Sequence, residues 1–290
     1  MDALKTNNVK VIGRVAAVNL KEGKKKTNGQ GYISGSVTLT SVIGGEKKEF
    51  EVNLYANEQT KEGKPNQLYV SYSKLSELVG KKVEINGELR ENRYFSANTK
   101  RLVSAQQIAG RFVRGVSDTI EDVATFELGG FIVSELVQKE NKNKEIYRYD
   151  IVLGQGNYNN TNMSMFTLHV RPTDVEIING LKSQYHAGDT VILNGQLDWI
   201  VQTIVKESEN VGFGSGAVHT YTNRQRNFWI SGGSVVIKEA DKGAYDQETI
   251  RTLIAAYKAH DVELANSASS EGGETVEEKP VVSSRQTSLI

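Results

Sequence analysis

The chain has 290 residues, with 35 Lys and Arg against 35 Asp and Glu, 27 Gly, only 3 Pro and no Cys. The lack of Cys excludes a disulfide framework, thiol catalysis and zinc sites with Cys ligands. No apolar run approaches the roughly 18 residues of a membrane-spanning helix, and the N-terminal MDALKTNN has no apolar signal-peptide core. We therefore expect a cytoplasmic location.

Strands are predicted wherever apolar and polar residues alternate, because a half-buried strand has a period of two residues. In GYISGSVTLTSV, Ile33, Val37 and Leu39 share one face while Tyr32 and Ser34 share the other. The first part of the chain then contains, in order, three strands, a helix and a final strand: Val9 to Leu20, Gly31 to Val42, Glu49 to Asn57, Gln67 to Val79 and Arg101 to Ile108.

A repeated segment lies between that helix and the final strand. LSELVGKKVEINGELR (Leu75 to Arg90) returns as SQYHAGDTVILNGQLD (Ser183 to Asp198), each copy with a Gly, a turn and a strand of the form V-x-I/L-N-G-x-L. The same elements surround the second copy: Phe126 to Gln138, Glu145 to Leu153, Met165 to Val170, Thr173 to Tyr185 and Phe228 to Ile237. A repeat of this length indicates two similar domains.

The predicted fold class is all-β, with two tandem OB folds. An OB fold is a five-stranded Greek-key barrel, here with a helix between strands three and four, and it binds oligonucleotides or oligosaccharides through strands two and three and two flanking loops.

Charge divides the chain further. Residues 1–115 carry 20 Lys and Arg against 11 Asp and Glu, residues 116–240 carry 10 against 15, and residues 241–290 carry 5 against 9. We predict a basic OB domain (1–115), an acidic OB domain (116–240) with a long hairpin insertion (200–227), a C-terminal helix (241–264) and a disordered acidic tail (265–290). Because neutralised phosphates release counterions, we expect most nucleic-acid affinity in the basic domain.

Basic and aromatic residues of the first domain coincide with the loops and sheet face that an OB fold uses. Lysines fill the loop between strands one and two, tyrosines lie on the outer parity of strands two and three, and Arg90 to Arg101 surround the loop between strands four and five. Bases stack on aromatic rings while a basic groove follows the backbone, so binding needs no sequence code. Taken singly, a lysine-rich loop is equally a solvated one, and a strand Tyr is equally a cross-strand packing residue.

The second domain adds a basic and aromatic cluster in and near its insertion. The insertion predicts either a clamp on a strand or a contact with a neighbouring subunit, and Trp199 and Trp229 are equally candidates for the core. The candidate nucleic-acid-binding residues of both domains are Lys24, Lys25, Lys26, Tyr32, Tyr55, Arg90, Arg93, Tyr94, Phe95, Lys100, Arg148, Tyr221, Arg224 and Arg226.

No catalytic pattern stands out. The four His residues are far apart in sequence, there is no HExxH, no Walker loop and no G-x-S-x-G elbow, and Gly212, Gly214 and Gly216 lack the Lys-Ser/Thr of a phosphate loop. His186 and Asp189 fit a turn better than catalysis. We expect that the protein is not an enzyme and that it binds neither a cofactor nor a metal.

The C-terminal helix begins at a plausible cap, Asp246, and Ile250, Leu253, Ile254 and Tyr257 recur at helical spacing. This pattern predicts one apolar face that docks on a barrel or on a partner protein.

The segment from Gly80 to Arg90, followed by Arg93, Tyr94, Phe95 and a final strand, resembles the bacterial and phage single-stranded DNA-binding proteins. Two domains in one chain resemble a phage-like arrangement, and would place the protein in the host cytoplasm if a phage encodes it. The family's tails are typically Asp-rich before a terminal Pro-Phe, whereas this chain ends Ser-Leu-Ile.

The resemblance implies non-specific coating of single-stranded DNA in replication, recombination or repair, with replication or recombination proteins as partners through the helix and tail, and possible self-association. Two alternatives stay open: an adaptor whose barrels bind proteins in a virion or replisome, and single-stranded RNA binding, since 2′-hydroxyl contacts leave no motif.

Overall fold

The computed structural model describes residues 4, 6–96, 98–207 and 218–270, with side chains for all of these except 201–224 and 268–270. The Gly-rich tip of the predicted insertion and the predicted acidic tail from residue 271 onward lie outside the described residues.

The first barrel is built from five strands and one helix. They are β1 (Asn7–Lys24), β2 (Gly31–Ile43), β3 (Glu46–Asn57), α1 (Gln67–Ser73), β4 (Lys82–Ser96) and β5 (Arg101–Gly115). β1 pairs antiparallel with both β2 and β4, β2 pairs with β3, and β3 runs parallel to β5 at Val52 and Ile108. The antiparallel pairing of β4 with β5 closes the barrel.

The second barrel repeats this arrangement. Its elements are β6 (Val123–Glu140), β7 (Ile146–Gly156), β8 (Met163–Val170), α2 (Val175–Gln184), β9 (Thr190–Glu207) and β10 (Val218–Gly233). β6 pairs with β7 and β9, and β8 runs parallel to β10 at His169 and Trp229. The topology of both barrels is that of the OB fold, which confirms the predicted fold class.

The repeated glycines have a common structural role. Gly87 lies opposite β5 at a register shift, and a Cβ at this position would overlap the carbonyl oxygen of Ala109. Gly195 lies against β10 in the same way, and a Cβ there would overlap the carbonyl oxygen of Trp229. The motif therefore recurs because each barrel closes at a point where two backbones approach too closely for a side chain.

The two barrels share one continuous sheet. β1 also pairs antiparallel with β6, from Asn7 opposite Leu128 to Ile12 opposite Val123, so that ten strands join in one hydrogen-bonded array. One apolar core cluster extends through both barrels, from Val11 and Phe50 in the first to Phe166 and Phe228 in the second. The barrels are consequently held by backbone pairing as well as by side chains.

The C-terminal helix α3 spans Gln247–Ser270. Asp246 caps it, because the amide of Thr249 donates to Asp246 Oδ1 at 2.7 Å, and Ile250, Leu253 and Tyr257 are buried in a cluster with Phe131 of the second barrel. The helix begins directly after the predicted cap, Asp246, while residues 241–246 of the predicted C-terminal segment form turns and irregular backbone beside buried Tyr245.

Helix α3 also continues six residues past the predicted end at 264. Residues 265–270 were assigned to the tail, but once a helix has formed each further residue adds a hydrogen bond, so the small residues there extend it. No helix among the described residues is long and apolar enough to cross a membrane.

Candidate nucleic-acid interface

The outer surface of β2 and β3 carries two stacked tyrosines, and we call it the tyrosine face. Ile33, Val37 and Leu39 point into the core, as the alternation predicts. Tyr32 and Tyr55 point outward, with ring centroids 5.9 Å apart and planes inclined by 24°. Tyr55 is 49% exposed, and its hydroxyl donates to Asn57 at 2.7 Å. Two flat aromatic surfaces therefore lie side by side on an open sheet.

The neighbouring strand β1 leaves room for the Tyr32 ring. Gly23 lies opposite Tyr32, and a Cβ at Gly23 would overlap the Tyr32 ring. The absence of a side chain lets the ring lie across β1. Lys21, two residues earlier and opposite Ser34, shares the outer face.

Cations flank the tyrosines without being neutralised. Lys24 ends β1 and is exposed, while Lys25 and exposed Lys26 follow in the turn. Among the described residues none of these three forms an ion pair. Glu22 lies between Lys21 and Gly23 and therefore points to the opposite side of β1, towards α1. There the pKa of Tyr69 is raised, first by burial and then by the Glu22 carboxylate. The cationic character of the turn is thus left available to a ligand.

The segment predicted as a loop between strands four and five is largely paired strand. β4 and β5 stay paired from Leu89 opposite Ile108 to Ser96 opposite Arg101, so only residues 97–100 connect the two strands. Lys100, the last residue of this connection, has a left-handed φ of 50°. We call this extension, residues 89–96 with 101–108, the β4–β5 arm. Because side chains alternate along a strand, the arm has two faces.

One face of the arm carries Arg90, Asn92 and Tyr94 and continues the tyrosine face. Arg90 lies opposite Gln107, and Gln107 Oε1 accepts a hydrogen bond of 3.0 Å from Asn53 on β3. Arg90 is exposed and pairs with Glu88 at 2.6 Å. Asn53 and Gln107 were absent from the sequence-based candidates, although the outward parity of Asn53 between Glu51 and Tyr55 was a usable signal.

The other face of the arm carries Glu91, Arg93 and Phe95 and turns towards the second barrel and α3. The side chain of Arg93 is only 7% exposed: its guanidinium lies 3.4 Å from the Tyr257 ring centre and pairs with Asp261. The Tyr257 hydroxyl donates to Glu91 at 2.6 Å, and burial followed by Glu91 raises the pKa of Tyr257. Arg93 was predicted to bind nucleic acid, but it is held under α3, and Phe95 belongs to the same side.

The corresponding face of the second barrel is covered by the first. Asp150, His169 and Asn227 have outward parity, yet all three are buried. The arm lies across β8, where Gln106 Nε2 donates to the carbonyl of Thr167 at 3.3 Å and the amide of Met165 donates to Glu91 at 2.8 Å. At the other end of this interface, Lys48 of β3 pairs with Asp198, which also accepts from Trp229 Nε1 at 3.0 Å.

Two predicted binding arginines, Arg148 and Arg226, therefore have other partners. Arg148 Nε lies 2.9 Å from Asp150, whose other neighbour is His169, also at 2.9 Å. Burial lowers the pKa of His169. Burial alone would raise the pKa of Asp150, but His169 and Arg148 together lower it. Arg148 is thus held at a buried carboxylate and does not face solvent as a free cation.

Arg226 joins the barrels. It donates to the carbonyl of Gln106 at 3.0 Å, pairs with Glu51 at 3.4 Å and lies over the ring of Trp199. Trp199 in turn packs against Phe50 with 5.7 Å between ring centres, so it is a core residue of the interface. Sequence parity does not reveal the contacts of Arg226 with Gln106 and Glu51, because these partners lie more than 100 positions away.

The backbone of β9 and β10 remains paired as far as Glu207 opposite Val218, which makes the insertion a hairpin. The side chains of Tyr221 and Arg224 lie outside the described residues, so their assignment as binding residues stays a prediction. The His186 amide donates to Asp189 at 2.7 Å, and the two form the expected turn. Within the part of the chain that the structure describes, no three His, Asp or Glu residues are grouped for a metal ion.

A family model described as YorF matches residues 5–269. No curated protein sequence matches the chain.

Several solved structures are similar at low identity. The wild-type single-stranded DNA binding protein from Thermus aquaticus is 12% identical, with a TM-score of 0.48 over 81% of this chain and 95% of that chain. A deletion mutant of the same protein gives 12% and 0.48, over 81% and 96%. A replication protein A heterotrimer bound to single-stranded DNA gives 11% and 0.22, over 90% and 54%.

Proposed function

We propose that this chain, which belongs to the YorF family through a match over residues 5–269, binds single-stranded DNA across the tyrosine face of its first barrel. The observation that carries the proposal is the stacked pair of half-buried Tyr32 and exposed Tyr55, beside cations that form no ion pair among the described residues. Rings of this kind offer bases a stacking surface, and the lysines offer phosphates a counter-charge.

Single strands fit this surface better than a duplex. The bases of a duplex are stacked on one another and present only their edges in the grooves, whereas unpaired bases can lie flat on Tyr32 and Tyr55. The polar side chains along the face, Ser34, Asn53 and Gln107, accept or donate hydrogen bonds without a fixed sequence code. Binding that is strong but indifferent to sequence follows from such a surface.

The division of charge supports the same assignment. The first barrel lies in the segment with an excess of nine positive charges, 20 against 11, whereas the second lies in a segment with an excess of five negative charges, 15 against 10. The second barrel also has its equivalent face covered by the β4–β5 arm. We therefore assign the first barrel the main contact with DNA and the second barrel a supporting role.

The function that follows is non-enzymatic: coating and protecting single strands in replication, recombination or repair. Titration of a fluorescent oligonucleotide with the full chain at several salt concentrations tests it. Affinity should fall with salt at a log-log slope of about −0.7 for each phosphate contacted, and a matched duplex should bind far more weakly.

Equal affinity for duplex, or no affinity for single strands, would contradict the proposal. Salt-insensitive assembly without nucleic-acid binding would favour a protein adaptor instead. Competition with an RNA oligonucleotide of the same sequence would show whether RNA is the better ligand.

A further inference from the structure

A polar groove runs along the free edge of β4, next to the tyrosine face. β4 leaves its pairing with β1 at Gly87, and beyond that point Asn7 caps the open edge: the amide of Leu89 donates to Asn7 Oδ1 at 2.8 Å and Asn7 Nδ2 donates to the Leu89 carbonyl at 3.0 Å. The groove lies between this edge and the second barrel. Its lining includes Arg90, Gln155, Asn157, Tyr158 and Ser164.

Tyr158 is presented at the groove by an ordered turn. The ring is 98% exposed and makes no hydrogen bond or ring contact within the described residues, so it contributes little to folding. Two hydrogen bonds hold the turn that carries Tyr158: Asn157 Oδ1 accepts from the amide of Thr161 at 2.9 Å, and the Asn157 amide donates to the Asn162 carbonyl at 2.8 Å. Asn160 in this turn has a left-handed φ of 50°. A hydrogen-bonded turn thus holds an aromatic ring in solvent.

Arg90 connects the groove with the tyrosine face. It lines the groove, and it also lies opposite Gln107 on the outer surface that leads through Asn53 to Tyr55. The two carboxylates of the groove do not repel an anion strongly, because each is already paired. Glu88 pairs with Arg90 and Arg111. Glu91 lies 3.8 Å from Arg93 Nε and also accepts hydrogen bonds from Tyr257, Ser104 and the Met165 amide.

We propose that the groove is a second nucleotide-binding subsite, in which Arg90 binds a phosphate and Tyr158 stacks on a base of the strand that leaves the tyrosine face. This subsite extends the DNA path onto the second barrel at a point that the β4–β5 arm does not cover. It rests on the proposed binding of single-stranded DNA.

The test compares two oligonucleotide lengths with the full-length chain. A short oligothymidylate of about 6 nucleotides, within the roughly 4 to 16 that one OB fold binds, reports the tyrosine face alone, and one of about 20 reaches the groove. Tyr158→Ala should weaken binding of the long oligonucleotide roughly 5- to 150-fold, the loss of one stacked base, and leave the short one unchanged. Tyr158→Phe should keep wild-type affinity. Tyr147→Ala, an exposed Tyr of the same barrel outside the groove, is the matched control.

A second measurement places the contact directly. A long oligonucleotide with photoreactive bromouracil should form an adduct on Tyr158, located by peptide mass spectrometry. If the wild-type chain binds the long oligonucleotide but Tyr158→Ala binds it equally well and no adduct forms, the subsite is refuted and the tyrosine-face function stands. If the wild-type chain binds neither length, both the proposed function and the subsite are refuted.

Discussion

At the scale of single residues, the stacked pair Tyr32 and Tyr55 carries the expected binding energy. Neither ring is needed to fill the core, since the inward residues Ile33 and Leu54 are the buried ones on these strands. Their contribution should therefore appear mainly in affinity.

We expect Tyr32→Ala and Tyr55→Ala each to weaken single-strand binding by about 1 to 3 kcal/mol, the usual contribution of one stacked base. Phe at either position keeps the ring and should retain most of the affinity. Fluorescence titration measures the change, and urea unfolding serves as the control for folding. Unchanged affinity in both Ala variants would mean that DNA crosses a different surface.

Glu84 is a residue whose role is electrostatic. It is buried, and hydrogen bonds from Arg114 and Asn86, then Lys10, lower its pKa to about 2 against the effect of burial. A lowered folded-state pKa means that its stabilisation is present above the ordinary value of 4.5 and is lost as the pH falls from 4.5 towards 2.

Glu84→Gln should therefore reduce the free energy of unfolding near pH 7 by about 1 to 3 kcal/mol, as for a hydrogen-bonded charge. The deficit of the variant should shrink between pH 4.5 and pH 2, because the wild-type protein loses the same interaction there. Urea unfolding at pH 7 and pH 3 measures both effects. A deficit that does not change with pH would show that the charge of Glu84 is not what stabilises the fold.

At the scale of elements, the β4–β5 arm separates two roles along one strand. Alternation alone predicts that neighbouring residues face opposite ways, but both faces of the arm are amphipathic in sequence: Arg90 and Tyr94 on one side, Arg93 and Phe95 on the other. Nothing local distinguishes them. The distinction comes from α3, which arrives from more than 150 positions later in the chain and places Tyr257 and Asp261 on Arg93.

Tyr94 and Phe95 provide a matched test of this separation. Tyr94→Ala, on the face that continues the tyrosine face, should weaken DNA binding by about 1 to 3 kcal/mol if a base stacks there. Phe95→Ala, on the side of Arg93, should leave affinity unchanged. Titration with the same oligonucleotide measures both, and a larger loss for Phe95→Ala would reverse the assignment of the two faces.

The strands themselves were largely predictable. Period-two alternation in β2 and β3 indicated the inward and outward residues correctly, and the repeated Gly motif indicated two barrels. The strand ends were placed too early, because Lys21, Lys24 and Asn92 belong to residue types that are uncommon in strands. Cross-strand ladders with β2 and β5 hold them extended in spite of their composition.

At the scale of the whole molecule, the two barrels form one body with one open face. The shared pairing of β1 with β6 sets their relative position, and the interface then places Lys48 and Arg226 against Asp198 and Glu51. This geometry covers the face of the second barrel that its own strands would otherwise expose.

The ion pair between Lys48 and Asp198 tests whether this interface stabilises the fold. Both side chains are largely buried, so Lys48→Met alone, which leaves Asp198 without its cation, should cost about 3 to 5 kcal/mol of unfolding free energy. Lys48→Met with Asp198→Asn should cost less than the sum of the single changes. Urea unfolding of the four proteins gives the coupling, and additive effects would mean that the barrels do not depend on this pair.

The sequence by itself determined the duplication, the OB topology, the charge difference between the halves and the outward position of Tyr32 and Tyr55. These properties follow from local periodicity, from close backbone approach at glycine and from composition. All three can be recognised from residues that are close together in sequence. Only the tertiary structure decided which cations stay available. Arg93 and Arg226 resemble Lys24 and Lys26 in sequence, yet each has an acidic partner that the packing of a distant segment supplies. Arg148 pairs with Asp150 on its own strand. Availability for a ligand is a property of what lies opposite a side chain, and that is set by contacts between segments remote in sequence.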